Sequence, residues 1–352
     1  GDGPTGADGG GDQRRLGQLR IAGAVAAGVA GVELDAIGAL RRQRHGHGDQ
    51  LLVFARHRPV GKDRIAEGVE RRHRLRRMHR KLAVIDGHTA FVGGINVIDD
   101  MNHEEGQWPR YDYAVQVEGP LLGPMHRAVC RLWEGVSWAS FKRRYKARRQ
   151  ITPDPGPVGD QRAAFVVRDN LLHRRDIEDA YLTAIGGAQK EIVLANAYFL
   201  PGYRFRHALF DAAARGVKVT ILLQGRTEYR LQHYATQALY GALLKAGIRI
   251  LEYRRSFLHA KVAVIDDRWA TVGSSNIDPF SLLLAREANI VVTDTSFATS
   301  LRQSIEGAAA EGAVELSVED WRQFSWLSRL LRWISYQAVR AAIGLAGYGG
   351  KH

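Results

Sequence analysis

Two copies of one pattern, His-x-Lys-x-x-x-x-Asp, stand 180 residues apart in this chain. The segment MHRKLAVIDGHTAFVGGIN (78–96) aligns without a gap with LHAKVAVIDDRWATVGSSN (258–276). A repeat of this length indicates two homologous lobes, because the units of solenoid proteins are only about 20–50 residues long. The matched residues are His79 and His259, Lys81 and Lys261, Asp86 and Asp266, Gly93 and Gly273, and Asn96 and Asn276.

The repeated residue types suit chemistry on a phosphodiester if the two lobes face each other across a pseudo-twofold axis. One imidazole would attack phosphorus and form a covalent phosphohistidine. The other would protonate the leaving alcohol and then take a proton from the incoming nucleophile, since the pKa of histidine lies near neutrality. The paired lysines and asparagines would stabilise charge on the non-bridging oxygens. This chemistry requires no metal or other cofactor, and the near symmetry of the motifs leaves open which histidine is the nucleophile.

A histidine in either role needs its far ring nitrogen held in place. An acidic residue precedes an apolar strand downstream of each motif: Asp112 in YDYAVQV and Glu287 in REANIVV. By the logic of the orienting acid in a catalytic triad, we expect Asp112 to orient His79 and Glu287 to orient His259. The alternative is that either acid is an ordinary surface carboxylate.

Short strands that end in tight turns must position the motif residues. Residues two apart in a strand project from the same face, so each histidine points together with the lysine of its motif. The apolar run after each lysine predicts a buried strand, and the motif aspartates begin turns at the strand ends. A returning strand then leads to Gly93-Gly94 in one lobe and to Gly273-Ser274 in the other. We expect the backbone at these pairs to approach a ligand closely.

Alternating strands and helices are predicted in the second lobe. Apolar β-branched runs read as buried strands, and apolar residues three or four apart read as helices that stop at glycine. This order predicts an α/β sandwich with a mostly buried sheet. The predicted elements are strand 191–199, helix 201–215, strand 217–224, helix 231–246 and strand 248–253, followed by the second motif strand.

The first lobe lacks this pattern at its start. Residues 1–78 hold one aromatic residue, Phe54, of the 30 in the chain, and no clear pair of buried strands. We expect residues 1–76 to be an atypical segment, truncated or partly translated out of frame, the alternative being a genuine but divergent half. The remaining domains are then 77–150 as the rest of the first lobe, 151–160 as a Pro/Gly-rich linker, 161–310 as the second lobe and 311–352 as an amphipathic tail.

Composition favours a polyanionic partner and excludes several classes of site. The chain of 352 residues carries 50 basic and 37 acidic residues, a net charge of +13, which suits an anionic membrane or a nucleic acid. The single cysteine, Cys130, excludes an intramolecular disulfide and a cysteine-based zinc site. No run of 18 apolar residues occurs, so a membrane protein of this kind would sit on the bilayer.

Both motifs resemble the HKD motifs of the phospholipase D superfamily, and the neighbouring segments are similar to the short, ClsB-like bacterial cardiolipin synthases that lack transmembrane helices. The resemblance runs from about residue 77 to about residue 294. It implies two homologous phospholipase D-like α/β sandwich lobes related by a pseudo-twofold axis, with the active site between them. The active-site set that it implies is His79, Lys81, Asp86, His259, Lys261 and Asp266. The segments that carry it are 166–185, 195–209, 251–282 and 286–292.

The resemblance implies phosphatidyl transfer from one phosphatidylglycerol to another, which gives cardiolipin and glycerol. Other phospholipids or alcohols are possible partners, and the expected location is the cytoplasmic face of a bacterial cell membrane. The stretch SWLSRLLRWISYQAVRAAIGL (325–345) fits that location, because tryptophan, leucine and arginine alternate as in an interfacial helix. The alternative is a helix packed on the protein's own core.

Two other functions compete with this interpretation. The first is another phosphodiesterase of the superfamily, either a phospholipid hydrolase or transphosphatidylase or a nuclease. Nucleic acid is not expected, because nucleases of the superfamily commonly carry one motif per chain and no base-stacking aromatic pattern accompanies the basic runs here. The second is a membrane-associated protein without activity whose first lobe has decayed.

Overall fold

The computed structural model describes residues 14–16, 20–22, 78–96, 109–139, 156, 158–169 and 172–343. The elements before the second lobe are strands β1 (Arg14–Leu16), β2 (Arg20–Ala22), β3 (Lys81–Ile85), β4 (Thr89–Gly93) and β5 (Ala114–Val117) and helix α1 (Leu122–Ala139).

The second lobe alternates strands with helices, as its sequence predicts. Its strands are β6 (Gln161–Arg168), β7 (Glu191–Asn196), β8 (Lys218–Gln224), β9 (Arg249–Tyr253), β10 (Lys261–Ile265), β11 (Trp269–Gly273), β12 (Glu287–Thr293) and β13 (Ala313–Leu316). Its helices are α2 (Asp176–Gly187), α3 (Tyr203–Ala214), α4 (Arg230–Gln237), α5 (Tyr240–Lys245), α6 (Thr295–Gly312), α7 (Val318–Gln323) and α8 (Trp326–Ile343), with a π-helical turn at Phe280–Leu284.

A nine-stranded sheet forms the body of the molecule, in the order β1-β6-β12-β11-β10-β7-β8-β9-β13. Strands β7, β8 and β9 are parallel and joined by helical crossovers, whereas β10, β11 and β12 form an antiparallel meander. The continuous apolar runs explain this arrangement, because both faces of the central strands are covered. The predicted helix 231–246 is divided into α4 and α5, although Ala238 and Leu239 between them keep helical backbone angles.

The first lobe contributes a smaller sheet of four strands in the order β2-β5-β4-β3. Its β3–β4 hairpin matches the β10–β11 hairpin of the second lobe, with Lys81 opposite Gly93 and Val262 opposite Val272. Turns follow both motif strands, as predicted, and Asp86 and Asp266 adopt left-handed backbone angles there (φ 51° and 53°). Aspartate tolerates this conformation better than most residues do.

One hydrophobic core joins the two lobes. Buried residues of β3, β4 and β5 pack in the same cluster as residues of β10, β11, β12 and helix α6. A second cluster lies on the opposite face of the large sheet, under α2 to α5 and the inward side of α8. The two lobes therefore form one body with the motif strands facing its interior, which confirms the predicted fold class of paired α/β lobes.

Residues 1–76 contribute two strands that the sequence did not reveal, because segments of three residues carry no periodicity. Strand β1 pairs with β6 of the large sheet and β2 pairs with β5 of the small sheet. Among the described residues, no counterparts of β7, β8 and β9 extend the small sheet beyond β3. The rest of the atypical segment and most of the linker lie outside the described residues, so the domain boundaries remain predictions.

Candidate active site

Both motif histidines lie directly before a motif strand, at the boundary between the lobes. The backbone N–H of His79 donates to Arg286 O (3.1 Å), and that of His259 donates to Tyr111 O (2.8 Å). Parallel bridges join Met78 with Arg286 and Tyr111 with Leu258 at the same two places. Each histidine is thus fixed by the backbone of the other lobe, and the structure brings the two motifs together.

The orienting acids act across the lobes, not within them. His259 Nδ1 lies 2.6 Å from Asp112 Oδ2, and His79 Nδ1 lies 3.0 Å and 3.1 Å from the two carboxylate oxygens of Glu287. The prediction that Asp112 orients His79 and that Glu287 orients His259 is therefore wrong. The same two acids hold the same two histidines, but in exchanged pairs.

Strand order explains the exchange. In each lobe the acid begins or just precedes the third strand of a meander, so a complete strand separates it from the histidine of its own motif. Two strand spacings amount to about 10 Å, which is too far for a direct side-chain hydrogen bond. Across the lobe boundary, in contrast, His79 meets the backbone of Arg286, the residue immediately before Glu287.

The motif lysines fold back over their own motifs. Lys81 Nζ donates to His79 O (3.0 Å), and Lys261 Nζ donates to His259 O. Burial, together with the charge of Lys261, lowers the pKa of Lys81 to about 8. Burial also lowers the pKa of Lys261, which is completely buried. An anionic phosphodiester placed here would stabilise both ammonium groups, so the site is prepared for an anion.

His259 is buried and His79 is half-buried. Burial and the neighbouring Lys261 charge lower the pKa of His259 to about 4, against the opposing effect of Asp112. His259 is therefore neutral near pH 7, and its Nδ1–H donates to Asp112 while Nε2 keeps its lone pair. This is the tautomer that a nucleophile or a general base requires.

Small residues after the returning strands make room for the acids. A Cβ atom built on Gly94 would collide with the Asp112 carboxylate, and one on Gly93 would collide with Tyr113 O. Ser274 replaces Gly94 in the second lobe and donates from Oγ to Glu287 Oε2 (2.6 Å). We expect the backbone at these positions to approach a ligand closely; in the described structure it instead approaches the neighbouring strand and the acid that this strand carries.

The asparagines also lie near the motif strands. Asn276 is buried, and its Oδ1 has no hydrogen-bond partner in the described part of the chain. Asn96 is half-buried at the matching position after β4. The sequence did not reveal Asp278, two residues after Asn276, whose burial raises its pKa to about 6 against the opposing effect of the nearby His79. The sequence signal that could have revealed Asp278 is its position two residues after Asn276, in the same short segment that follows β11.

The motif aspartates are not brought to the histidines. The Asp266 carboxylate accepts N–H groups of Gln189, Lys190 and Glu191 at 2.8, 2.8 and 2.9 Å, where it fixes the turn between α2 and β7. Asp86 is exposed at the equivalent turn of the first lobe. Each aspartate follows its strand and each lysine begins it, so about 16 Å separates them. Asp86 and Asp266 therefore lie at the turns that end their strands, as the sequence predicts, and not beside the histidines, and we propose that their part in the site is structural.

A second polar cluster, which the sequence did not reveal, borders the site on the second lobe. Glu228 accepts from Tyr198 Oη (2.5 Å) and from Arg110 Nη2 (3.1 Å), and the Arg110 guanidinium lies 5.8 Å from the Phe257 ring centre. Arg110 directly precedes Tyr111, whose carbonyl holds the backbone of His259. Among the described residues, no group of three His, Cys, Asp or Glu side chains is arranged to hold a metal ion.

The described helices include none that is both long and apolar enough to cross a bilayer. The site itself is a boundary between two sheets, closed by two acids, two histidines and two lysines.

Comparison with known proteins is consistent with this geometry. Residues 181–308 match the family model described as "Cardiolipin synthase, PLD-like domain". Cardiolipin synthase B of Shigella flexneri is 38% identical over 280 residues, covering 79% of this chain and 67% of that protein. Cardiolipin synthase B of Salmonella typhi is 39% identical over 278 residues, covering 79% and 67%. Phosphatidylserine synthase of Haemophilus influenzae shares the fold, with a TM-score of 0.57 at 12% identity over 79% of this chain and 72% of that chain.

Proposed function

The chain belongs to the cardiolipin synthase family of phospholipase D-like phosphatidyltransferases, and from that premise we propose that it joins two phosphatidylglycerol molecules into cardiolipin and releases glycerol. The observation that carries the proposal is the exchanged pairing of His79 with Glu287 and of His259 with Asp112. It supports the proposal because two oriented imidazoles and two ammonium groups lie at one boundary between the lobes, where a single phosphodiester would contact all of them.

In the first half of the reaction, Nε2 of one histidine attacks the phosphorus of the first phosphatidylglycerol. The bond between phosphorus and the glycerol oxygen breaks, and the other histidine gives its Nε2 proton to that oxygen. The products are free glycerol and a phosphatidyl group bound to the enzyme through a phosphorus–nitrogen bond. Lys81 and Lys261 stabilise the charge on the non-bridging oxygens during the transfer.

In the second half, a glycerol hydroxyl of the second phosphatidylglycerol attacks the same phosphorus. The histidine that gave its proton now takes one from this hydroxyl, and the phosphorus–nitrogen bond breaks. Cardiolipin leaves, and both histidines return to their starting protonation states. If water replaced the second lipid, the product would be phosphatidic acid, so exclusion of water decides between transfer and hydrolysis.

The acids have a defined part in both halves. Each carboxylate accepts the Nδ1–H of its histidine, which directs Nε2 to the phosphorus and stabilises the imidazolium form when it arises. Asp112 and Glu287 come from opposite lobes, so neither half-site is complete without the other lobe. The lipid substrate and the net charge of +13 further support peripheral action at a bacterial membrane, on the cytoplasmic face.

The test uses phosphatidylglycerol vesicles with EDTA present and mass spectrometry of the products. Cardiolipin and glycerol in equal amounts are expected from the unaltered chain and not from His259→Ala. The matched control is His88→Ala, since His88 is an exposed histidine in the turn between β3 and β4, outside the site. Phosphatidic acid without cardiolipin would indicate a hydrolase, and no product with folded protein would refute the proposal.

A further inference from the structure

Helix α8 buries one of its arginines and turns its largest apolar side chains outward. The residues that it buries are Arg332, Ser335, Val339 and Ile343, whose spacing of three or four defines one face. The opposite face exposes its large apolar side chains, with Trp326 70% and Trp333 56% exposed. The other exposed members of that face are Leu327, Leu330, Leu331 and Ile334.

Arg332 holds this orientation. It is only 7% exposed, its Nε donates to Gln237 Oε1 (2.9 Å), and its guanidinium carbon lies 4.0 Å from the centre of the Phe324 ring. A helix that simply packed on the protein's core would turn its leucines and tryptophans inward and its arginine outward. The contacts of Arg332 with α4 therefore keep the apolar face directed away from the protein.

An apolar face of this kind needs a partner. Single exposed apolar residues are normal on soluble proteins, but the six on α8 are contiguous, lying within nine residues of sequence. Tryptophan is the residue that most favours the boundary between hydrocarbon and water, with its ring in the lipid and its N–H in the polar layer.

The charges beside the apolar face identify the chemistry of that partner. Arg329 and Arg340 are exposed on the same helix, and no acidic residue follows Asp320 in the chain. A cationic helix with an apolar face that carries tryptophan is typical of binding to the surface of an anionic bilayer. A second copy of this chain would bring the same cations together and would repel.

The position of α8 relates the apolar face to the active site. Arg332 contacts Gln237 at the last residue of α4, whereas Tyr336, one turn later, accepts a hydrogen bond from Arg206 in the first turn of α3 (3.0 Å). Helix α3 follows β7, whose last residue, Asn196, lies opposite Lys261. Helix α8 thus runs toward the end of the sheet that holds the second motif.

The same end of the sheet exposes further apolar side chains. Tyr203 begins α3, and Tyr229 and Leu231 flank the first residue of α4; all three are more than half exposed. These residues follow β7 and β8, and β7 ends beside the motif strand β10. These exposed residues therefore lie on α3 and at the start of α4, the two helices that α8 contacts through Tyr336 and Arg332.

We propose that the outward face of α8, residues 326–334, inserts into the interface of an anionic bilayer and holds the motif end of the large sheet against the lipid. The inference deepens the proposed function, since a phosphatidyl group must reach the histidines from a membrane. Its test measures binding without turnover, so that the two proposals can fail separately.

The experiment measures flotation of the full chain with vesicles of phosphatidylserine and phosphatidylcholine, which contain no phosphatidylglycerol. The test variant is Leu330→Gln/Trp333→Gln, and the matched control is Val158→Gln/Val314→Gln, which changes two exposed apolar residues elsewhere. We expect binding to weaken about tenfold or more in the test variant and to be unchanged in the control. Because the altered side chains are exposed, thermal unfolding should be unchanged in both.

Two further results are expected from the same samples. Binding should weaken at high salt and on vesicles of phosphatidylcholine alone, because the arginines attract anionic lipid. Tryptophan emission should shift to shorter wavelength on vesicles, and the shift should shrink in the test variant. Equal binding of test and control variants would overturn the proposal. A dimer in solution that becomes a monomer in the test variant, with vesicle binding retained, would overturn it in favour of self-association.

Discussion

Replacing Asp112 by asparagine tests the exchanged pairing most sharply. The Asp112 carboxylate and the His259 ring are both buried, and their atoms are 2.6 Å apart. Asparagine keeps the shape but removes the charge, and its amide can donate to Nδ1. His259 would then carry its proton on Nε2, the nitrogen that must face phosphorus.

The expected loss follows from the burial of the pair. To react as the Nδ1–H tautomer, His259 in the variant would lack a hydrogen bond to a charged group, which contributes about 1.5–3 kcal/mol, and would leave a buried donor unsatisfied, which costs about 1–3 kcal/mol more. At about 1.4 kcal/mol for each factor of ten, kcat should fall by roughly two to four orders of magnitude. The matched control is Asp176→Asn, because Asp176 pairs with His173 at 2.7 Å on the exposed surface. That change should alter kcat by less than about threefold.

The assay combines product analysis with proton NMR of the histidine ring N–H groups. A downfield Nδ1–H resonance that is lost in His259→Ala belongs to His259, and Asp112→Asn should remove the same resonance. Glu287→Gln should instead remove the resonance that is lost in His79→Ala. If Asp112→Asn removed the His79 signal and kept the His259 signal, the acids would act within their own lobes and the reasoning would be refuted.

Three further predictions concern neighbouring residues. Asp266→Ala should lower the free energy of unfolding by about 1–3 kcal/mol, because three backbone N–H groups lose their acceptor. At a temperature where the variant is folded, its kcat should stay within about threefold of the unaltered chain, and inactivity of the folded variant would contradict this. Lys81 loses its proton as the pH rises through about 8, so kcat/KM on a short-chain lipid should fall above that pH. If kcat/KM stayed constant up to pH 9.5, about 1.5 units above this pKa, the reaction would not require Lys81 in its ammonium form. Gly94→Ala should reduce kcat at least about tenfold by displacing Asp112, whereas Gly135→Ala, where a Cβ meets nothing within 4 Å, should not; equal activity of these two variants would contradict the packing argument.

Local patterns in the sequence were sufficient to predict the second lobe. The apolar runs at β7, β8 and β9 are buried on both faces, so their hydrophobicity alone identifies them as strands. The motif repeat identified the two hairpins, because a lysine at the start of a strand and an aspartate at its turn are local features. The same reasoning could not find β1 and β2, which are held by pairing with distant strands rather than by their own pattern.

The partner of each acid could not be predicted from local patterns. Asp112 and Glu287 were identified as orienting acids from the strand that follows each of them. Their targets depend on how the two meanders meet across the lobe boundary, which separates His79 from Glu287 by 208 residues and His259 from Asp112 by 147. A symmetric repeat gives no preference between pairing within and between lobes, so only the strand order decides.

The direction of the last helix shows the same limit. Periodicity predicted an amphipathic helix at 325–345, but an amphipathic pattern does not say which face packs against the protein. The contacts of Arg332 with Gln237 and Phe324 decide it. Ser274 shows this limit as well. The alignment matches Ser274 with Gly94, but only the structure shows that the serine hydroxyl donates a hydrogen bond to Glu287.

The central claim is that two histidines from opposite lobes share one covalent phosphatidyl transfer, and trapping the intermediate tests it most directly. The chain would be mixed with phosphatidylglycerol, quenched in base, where phosphohistidine is stable, and analysed by mass spectrometry of intact protein and peptides. We predict a single phosphatidyl group on either His79 or His259, with its release as cardiolipin on addition of more phosphatidylglycerol before the quench. Formation of cardiolipin by a chain that never carries such a group, or by one in which both histidines are alanine, would contradict the account.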